Sequence, residues 1–97
     1  MTRLRWSPRS ADDLTSIHAF VSQDSPQYAD LIVRRIVSAA GSLTRFPESG
    51  RIVPEVGEPQ LRELIVRPFR LVYRVKPGLV EVVTVFRSSR QFPEISE

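Results

Sequence analysis

The sequence lacks cysteine altogether and has a single histidine, His18. Without thiols the chain can form neither a disulfide nor a thiolate metal site, and one histidine cannot hold a metal ion by itself. The residue groupings of a Gly-rich phosphate loop and of a serine or cysteine triad are missing as well. We therefore predict no metal, no cofactor and no catalytic residue, and we interpret His18 as a surface residue of a helix.

Long apolar runs are also missing. The longest run holds only a few residues, whereas a membrane-spanning helix needs about 20, and the first six residues, MTRLRW, lack the apolar segment of a signal peptide. The sequence therefore predicts a cytoplasmic protein that does not associate with membranes. Its 97 residues, 41% of them hydrophobic and 26% charged, suit one domain over residues 1–97 with a single core.

Two stretches in the first half have the periodicity of amphipathic helices. Each begins with a serine suited to cap a helix and a proline suited to its first turn, Ser7-Pro8 and Ser25-Pro26. Only about three residues separate the two stretches, so the helices should form an antiparallel hairpin. Apolar residues at spacings of three and four predict the buried stripes, which are Ala11, Leu14, Ile17 and Val21 in the first helix and Ala29, Ile32, Ile36, Ala39, Leu43 and Phe46 in the second.

The second half has the composition and alternation of strands. Tight turns are favoured at Arg67-Pro68 and Pro77-Gly78. The segments before, between and after these turns predict a three-stranded antiparallel meander. A further short strand is predicted at residues 3–6. We therefore expect an α+β fold with a short N-terminal strand, an antiparallel two-helix hairpin and then the meander, with the helices packed on one sheet face. The three meander segments are residues 61–66, 69–76 and 80–86.

Positive charge is concentrated in this half of the chain. Residues 60–92 carry seven cationic side chains against only Glu63 and Glu81, although the net charge of the whole chain is +3. These two acids suit cross-strand pairing with arginines better than a catalytic carboxylate pair. The period-two alternation of the middle strand predicts a core face of Phe69, Leu71, Tyr73 and Val75 and a cationic outer face of Arg70, Val72, Arg74 and Lys76.

The row of cations on the outer face has two interpretations. Guanidinium groups offer planar forks of donors that suit phosphates or a carboxylate-rich partner segment. The alternative is the solvated outer face of a one-sided sheet, which is common among antiparallel proteins. Spacing alone does not separate the two.

Five motifs, in this order and spacing, resemble the ParE/RelE superfamily of toxins from bacterial type II toxin–antitoxin systems. The resemblance extends over residues 5–92 and implies a helical hairpin on a twisted antiparallel sheet. The motifs are WSPxSxxDL at residues 6–14, FPxSGR at 46–51, VPE at 53–55, REL at 62–64 and PFRLVYRV at 68–75.

The superfamily has two main activities. RelE-like members cleave messenger RNA on the ribosome with a cluster of Lys, Arg and often Tyr, and Arg70 matches an arginine of that cluster. The positions where lysines are expected hold Leu61 and Glu63, and the chain beyond Phe86 has neither His nor Tyr. The resemblance is closer to the ParE branch, which poisons DNA gyrase without being an enzyme, although Arg87 stands where that branch often has His.

The resemblance to ParE implies a toxin that inhibits gyrase, arrests growth, takes part in plasmid stabilisation and is neutralised by a cognate antitoxin from an adjacent gene. Nucleic acid would be contacted only indirectly, through the target or the antitoxin. A RelE-like endoribonuclease and a non-toxic antitoxin-binding member are the alternatives. We expect a flexible tail from about residue 88, target binding by Arg70, Arg87 and Arg90, and antitoxin binding by Arg62, Arg70, Arg74 and Lys76.

Overall fold

The computed structural model describes residues 2–95, so the last two residues of the predicted tail lie outside the described residues. Two helices, a 3₁₀ turn and five strands follow one another in the predicted order, with one extra short strand before the meander. They are β1 (Arg3–Trp6), α1 (Pro8–Ser22), α2 (Pro26–Gly41), the 3₁₀ turn (Ser42–Thr44), β2 (Arg51–Ile52), β3 (Leu61–Val66), β4 (Phe69–Lys76) and β5 (Leu79–Arg87).

Both predicted helix starts are confirmed. The hydroxyl oxygen of Ser7 accepts the N–H of Ser10 at 3.1 Å, and that of Ser25 accepts the N–H of Tyr28 at 3.1 Å. Each serine thereby satisfies a main-chain donor that the first helical turn would otherwise leave unpaired. Neither helix is long and apolar enough to span a membrane, within residues 2–95.

The predicted apolar stripes are only partly correct. Helix α2 buries Ala40 instead of Ala39, α1 leaves Ala11 exposed, and Phe46 is 61% exposed. The stripe fails at Phe46 because α2 ends at Gly41 and continues as a 3₁₀ turn, in which three residues per turn replace 3.6 and shift the register. The hydroxyl of Ser42 donates to the carbonyl oxygen of Ala39 at 2.6 Å and supports this tightening.

The five strands form one sheet in the order β1-β5-β4-β3-β2. The meander β3-β4-β5 is antiparallel as predicted, and Gly78 supplies the positive φ of 67° that the turn between β4 and β5 requires. Strand β1 pairs in parallel with β5 at one edge, whereas β2, a short strand that the sequence analysis did not predict, pairs with β3 at the other.

The helices cover one face of the sheet and form the main core with it. Ile32, Ile36 and Leu43 pack there against Leu71 and Tyr73, all of them fully buried. This part of the fold agrees with the predicted core face of the middle strand.

The prediction of an open cationic outer face is wrong for the middle of the sheet. Val72 is fully buried and Arg70 is only 8% exposed. The loop after β2 and the C-terminal segment cross this face, so that Val53 and Phe92 pack against Val72 and Phe86 of the sheet in a second small apolar cluster. The alternation of β4 identified correctly which side chains share a face. It did not indicate that the loop after β2 and the C-terminal segment cover the outer face.

Candidate functional site

Arg70 lies on the outer face near the start of the central strand β4 and is enclosed by two carboxylates. Its Nε donates to Oε1 of Glu63 at 2.7 Å, and its two terminal nitrogens donate to the two carboxylate oxygens of Glu55 at 2.9 and 2.8 Å. The pairing with Glu55 is therefore bidentate, the strongest geometry available to arginine. Both acids raise the pKa of Arg70, with Glu55 as the larger cause.

Glu63 is the buried partner in this cluster and is 1% exposed. Strand pairing places it opposite Arg51 of β2, and its Oε2 accepts a hydrogen bond from Nε of Arg51 at 2.5 Å. The prediction that Glu63 pairs with arginines is confirmed. The same holds for Glu81, whose pKa is lowered chiefly by its hydrogen bond from Arg5.

Two aromatic rings complete the enclosure of Arg70. Its Cζ lies 5.2 Å from the ring centroid of Phe86 and 5.3 Å from that of Phe92, and the two rings meet edge to face at 5.6 Å. Five segments of the chain thus meet at one guanidinium, which in this arrangement has little surface left for an external phosphate or carboxylate.

The Glu55–Arg70 pair should make stability depend on pH in the acid range. The hydrogen bond from Arg70 lowers the pKa of Glu55 from 4.5 to about 2. A depressed carboxylate pKa contributes stability above the unfolded value, and this contribution is lost as the pH falls from about 4.5 through about 2. Because the Glu55 side chain is 43% exposed, solvent screening reduces the contribution to about 1 kcal/mol.

We expect Glu55→Gln to be less stable than the wild type at pH 7 and nearly as stable at pH 2. Urea titrations of the two proteins across this range measure the difference directly. A difference that stayed constant from pH 6 to pH 2 would contradict the role given to the Glu55 carboxylate.

Arg87 and Arg90 lie at the edge of an apolar groove between α1, the start of β4 and the end of β5. The groove has a volume of about 480 Å³. Its exposed apolar wall is Phe20, which is 63% exposed, and the guanidinium of Arg87 lies over the ring of Phe69 at 5.7 Å. The carboxylate of Asp13 lines the groove as well. This is the one place where two of the predicted target-binding arginines come together with exposed apolar surface, within residues 2–95.

Asp13 fixes the helix that forms this groove. One of its carboxylate oxygens accepts hydrogen bonds from the hydroxyl of Thr84 at 2.7 Å and from the N–H of Val85 at 2.9 Å. The pairing of β1 with β5 ends at Val82. Asp13 therefore accepts a main-chain N–H of β5 that β1 does not reach. Helix α1 is tied to the sheet at the floor of the groove.

The other predicted antitoxin-binding residues have different surroundings. Arg62 donates to the main-chain oxygens of Pro59 and Gly50, both at 3.0 Å, and so holds the loop before β3. Arg74 has an 18% exposed side chain and lies 3.8 Å from Glu58, measured from Nη1 to Oε1. Of the predicted antitoxin-binding residues, Lys76 has the most exposed side chain, at 43%, and it pairs with Glu81.

The predicted residues fall into two groups at opposite ends of the sheet. Arg87 pairs with Phe69 at the start of β4, whereas Lys76, at the end of β4, pairs with Leu79. Phe69 and Lys76 are seven residue steps apart along an extended strand, a distance of about 23 Å. The structure therefore brings Arg87 and Arg90 together and keeps them apart from Arg74 and Lys76. Arg70 is buried on the outer face at the Arg87 end of β4, where it pairs with Phe86.

Sequence reasoning missed Glu55, Phe92 and Phe20. Glu55 and Phe92 lie in segments without periodicity, so no pattern indicated that they cover the sheet. Phe20 could have been noticed, because it is a large apolar residue outside the predicted stripe of the first helix.

The fold of this chain, with a helical hairpin on one face of the sheet, is found in solved structures. The YoeB dimer from Staphylococcus aureus shares the fold, with a TM-score of 0.59 and 16% sequence identity over 86% of this chain and 92% of that chain. A chain of the chromosomal ParDE toxin–antitoxin system from P. aeruginosa is more similar, with a TM-score of 0.74 and 29% identity over 90% of this chain and 96% of that chain.

Sequence comparison identifies the family. Residues 4–92 match the family of ParE toxins of type II toxin–antitoxin systems, parDE. Toxin RelE2 of Caulobacter vibrioides is 36% identical over 91 residues, which are 93% of this chain and 99% of that protein. The chain belongs to the ParE toxin family and is a type II toxin of the ParE/RelE superfamily.

Proposed function

We propose that this protein is a toxin that poisons DNA gyrase, arrests growth and is neutralised by a cognate antitoxin. The observation that carries the proposal is the enclosure of Arg70. A ribosome-dependent ribonuclease of this superfamily would present that arginine to a phosphate, whereas here Glu55 and Glu63 engage all three of its nitrogens. Arginine stays protonated at neutral pH and cannot serve as the general base either.

Membership of the ParE family supports gyrase as the target, and so does the likeness to a ParDE system. Inhibition of gyrase in this way requires the toxin only to bind its target and not to catalyse a reaction. Arg87 and Arg90, beside the exposed ring of Phe20, offer the kind of surface that holds acidic protein groups or DNA phosphates. We propose that these two arginines contact the gyrase–DNA complex directly.

The antitoxin is proposed to contact the other end of the sheet. Arg74 and Lys76 lie there on the rim of the domain, and acidic groups of a partly disordered antitoxin segment would complement them. We do not propose direct contacts for Arg62 and Arg70, because both use their donors inside the fold.

The test of the target combines a phenotype with a purified reaction. Expression without the antitoxin should arrest growth, cause filamentation and accumulate cleaved DNA, and the purified protein should alter gyrase supercoiling or cleavage products at micromolar concentration. Arg87→Ala with Arg90→Ala should abolish both effects while keeping the melting temperature, since both side chains are exposed.

A matched control removes the same charge from another surface. Arg34→Ala with Arg35→Ala changes two exposed arginines of α2, and this variant should stay toxic. Equal loss of toxicity in both variants would mean that net charge, not the Arg87–Arg90 site, is responsible. Arrest without any effect on purified gyrase would overturn the gyrase assignment.

The second candidate is the ribosome-dependent ribonuclease, which the similarity to Toxin RelE2 favours by name. Mapping of transcript ends in arrested cells separates it from the gyrase toxin. Codon-phased cleavage would establish the ribonuclease, and intact transcripts would exclude it. A member that binds its antitoxin but has lost toxicity would show neither cleavage nor arrest.

A further inference from the structure

Residues 91–95 cross the outer face of the sheet as a strap that side chains alone hold in place. Phe92 lies against Phe86 and Arg70, Ile95 packs against the second apolar cluster, and Nη1 of Arg9 donates to the carbonyl oxygen of Glu94 at 2.6 Å. Within residues 2–95, no main-chain hydrogen bond joins the strap to the sheet. A segment held in this way opens more easily than a strand.

A turn joins Arg87, the last residue of β5, to the strap, and it carries Arg90. The N–H of Ser88 donates to the carbonyl oxygen of Pro68 at 2.8 Å, and the N–H of Arg90 donates to that of Arg87 at 2.9 Å. These bonds anchor the turn at its start. Beyond Arg90, the first side chain that holds the chain to the sheet is Phe92.

We propose that Phe92 is a positioning residue, which closes the strap and thereby holds Arg90 beside Arg87 at the edge of the groove. The effect on the target rests on the proposed function of these two arginines. With the strap closed, the arginines are preorganised for an anionic surface; with the strap open, binding must first order the turn, which weakens affinity without removing any contact. The tail flexibility expected from about residue 88 corresponds to the open state.

Trypsin reports the state of the strap without reference to any partner, because cleavage after Arg90 requires the chain around residue 91 to leave the surface. We expect Phe92→Ala to be cleaved there about tenfold faster than the wild type. Phe92→Tyr keeps the ring over Arg70 and should restore slow cleavage. Phe46→Ala removes an exposed ring elsewhere and should cleave at the wild-type rate.

Cleavage after Arg34 and Arg35 in α2 shows whether a variant has unfolded. If Phe92→Ala is cleaved faster after Arg90 but stays protected after Arg34 and Arg35, the strap proposal is supported. An unchanged rate of cleavage after Arg90 in Phe92→Ala overturns it. If Phe92→Ala loses protection at both places, amide hydrogen exchange of the wild type decides. If the amides of residues 91, 92, 94 and 95 exchange as slowly as that of Val72 in the central strand, the proposal is overturned, and faster exchange supports it.

Binding to purified gyrase tests the positioning role separately. We expect Phe92→Ala to raise the Kd by about tenfold, with recovery in Phe92→Tyr. If the strap opens in Phe92→Ala but the affinity stays at the wild-type value, the positioning role is wrong. If the wild type binds no gyrase while trypsin cleavage of the strap changes as expected, the gyrase proposal fails and the proposal that Phe92 closes the strap still stands.

Discussion

Arg70→Ala should lower the free energy of unfolding by about 3–5 kcal/mol, because it leaves the buried charge of Glu63 without its principal partner. Glu63 is 1% exposed, and the partner that would remain, Arg51, has a side chain that is 60% exposed. The total stability of a domain of this size is about 5–15 kcal/mol. At the lower end of this range the loss removes nearly all of the stability, so that up to about half of the molecules of this variant would be unfolded.

Urea denaturation of purified proteins measures this loss. Lys76→Ala, which removes an exposed cation from the same strand, should change the stability by less than about 1 kcal/mol. Arg70→Met combined with Glu63→Leu should recover much of the loss, because apolar residues of similar volume often replace a buried ion pair without penalty. An Arg70→Ala protein within about 1 kcal/mol of the wild type would contradict the structural role of Arg70.

The expectation changes how toxicity data should be interpreted. A non-toxic Arg70→Ala protein would be consistent with a direct contact to the target and equally with a chain that no longer folds. The double variant separates these explanations, because it restores the fold without restoring the guanidinium. Toxicity that returns in the double variant assigns Arg70 to the fold, and toxicity that stays absent in a stable double variant assigns it to the target.

Gly50→Ala is the second substitution with a large expected effect, about 3 kcal/mol of stability. A Cβ at this position would lie 2.4 Å from the main-chain oxygen of Glu63 and 2.7 Å from the hydroxyl of Tyr73. The first contact is with the backbone of β3, which cannot move without breaking its pairing. The N–H of Gly50 also donates to the buried hydroxyl of Tyr73 at 2.9 Å, and the methyl group would push this pair apart.

Thermal or urea unfolding checks the effect against another glycine of the same chain. Gly41 ends α2, and a Cβ added there would meet nothing within 4 Å. Gly41→Ala should therefore stabilise the protein by about 0.5 kcal/mol. If both variants kept the wild-type stability, the close approach at Gly50 would not be a constraint on the sequence. The glycine of the FPxSGR motif is thus explained by packing.

Much of the fold could be predicted because its signals are local. The Ser7-Pro8 and Ser25-Pro26 pairs marked the helix starts, and the alternation of residues 69–76 identified the core face. The outer face could not be predicted in the same way. Periodicity shows which side chains share a face, but the segments that cover this face, residues 53–55 and 92–95, have no period of their own.

The candidate site was predicted only in part for the same reason. The positions of Arg87 and Arg90 after the last strand were evident from the sequence, whereas the groove beside them depends on how α1 lies over β5. The enclosure of Arg70 depends on Glu55 and Phe92, which come from two segments that meet only in the folded protein.

The parallel pairing of β1 with β5 has a consequence for biosynthesis. The first strand of the chain finds its partner only in the last, and the contacts that fix it, from Ser7 to Val82 and Val83, join residues about 75 positions apart. Such distant contacts form late, whereas the helical hairpin can form early from local ones. A nascent chain still emerging from the ribosome therefore lacks its completed sheet until β5 has been translated and has left the ribosome.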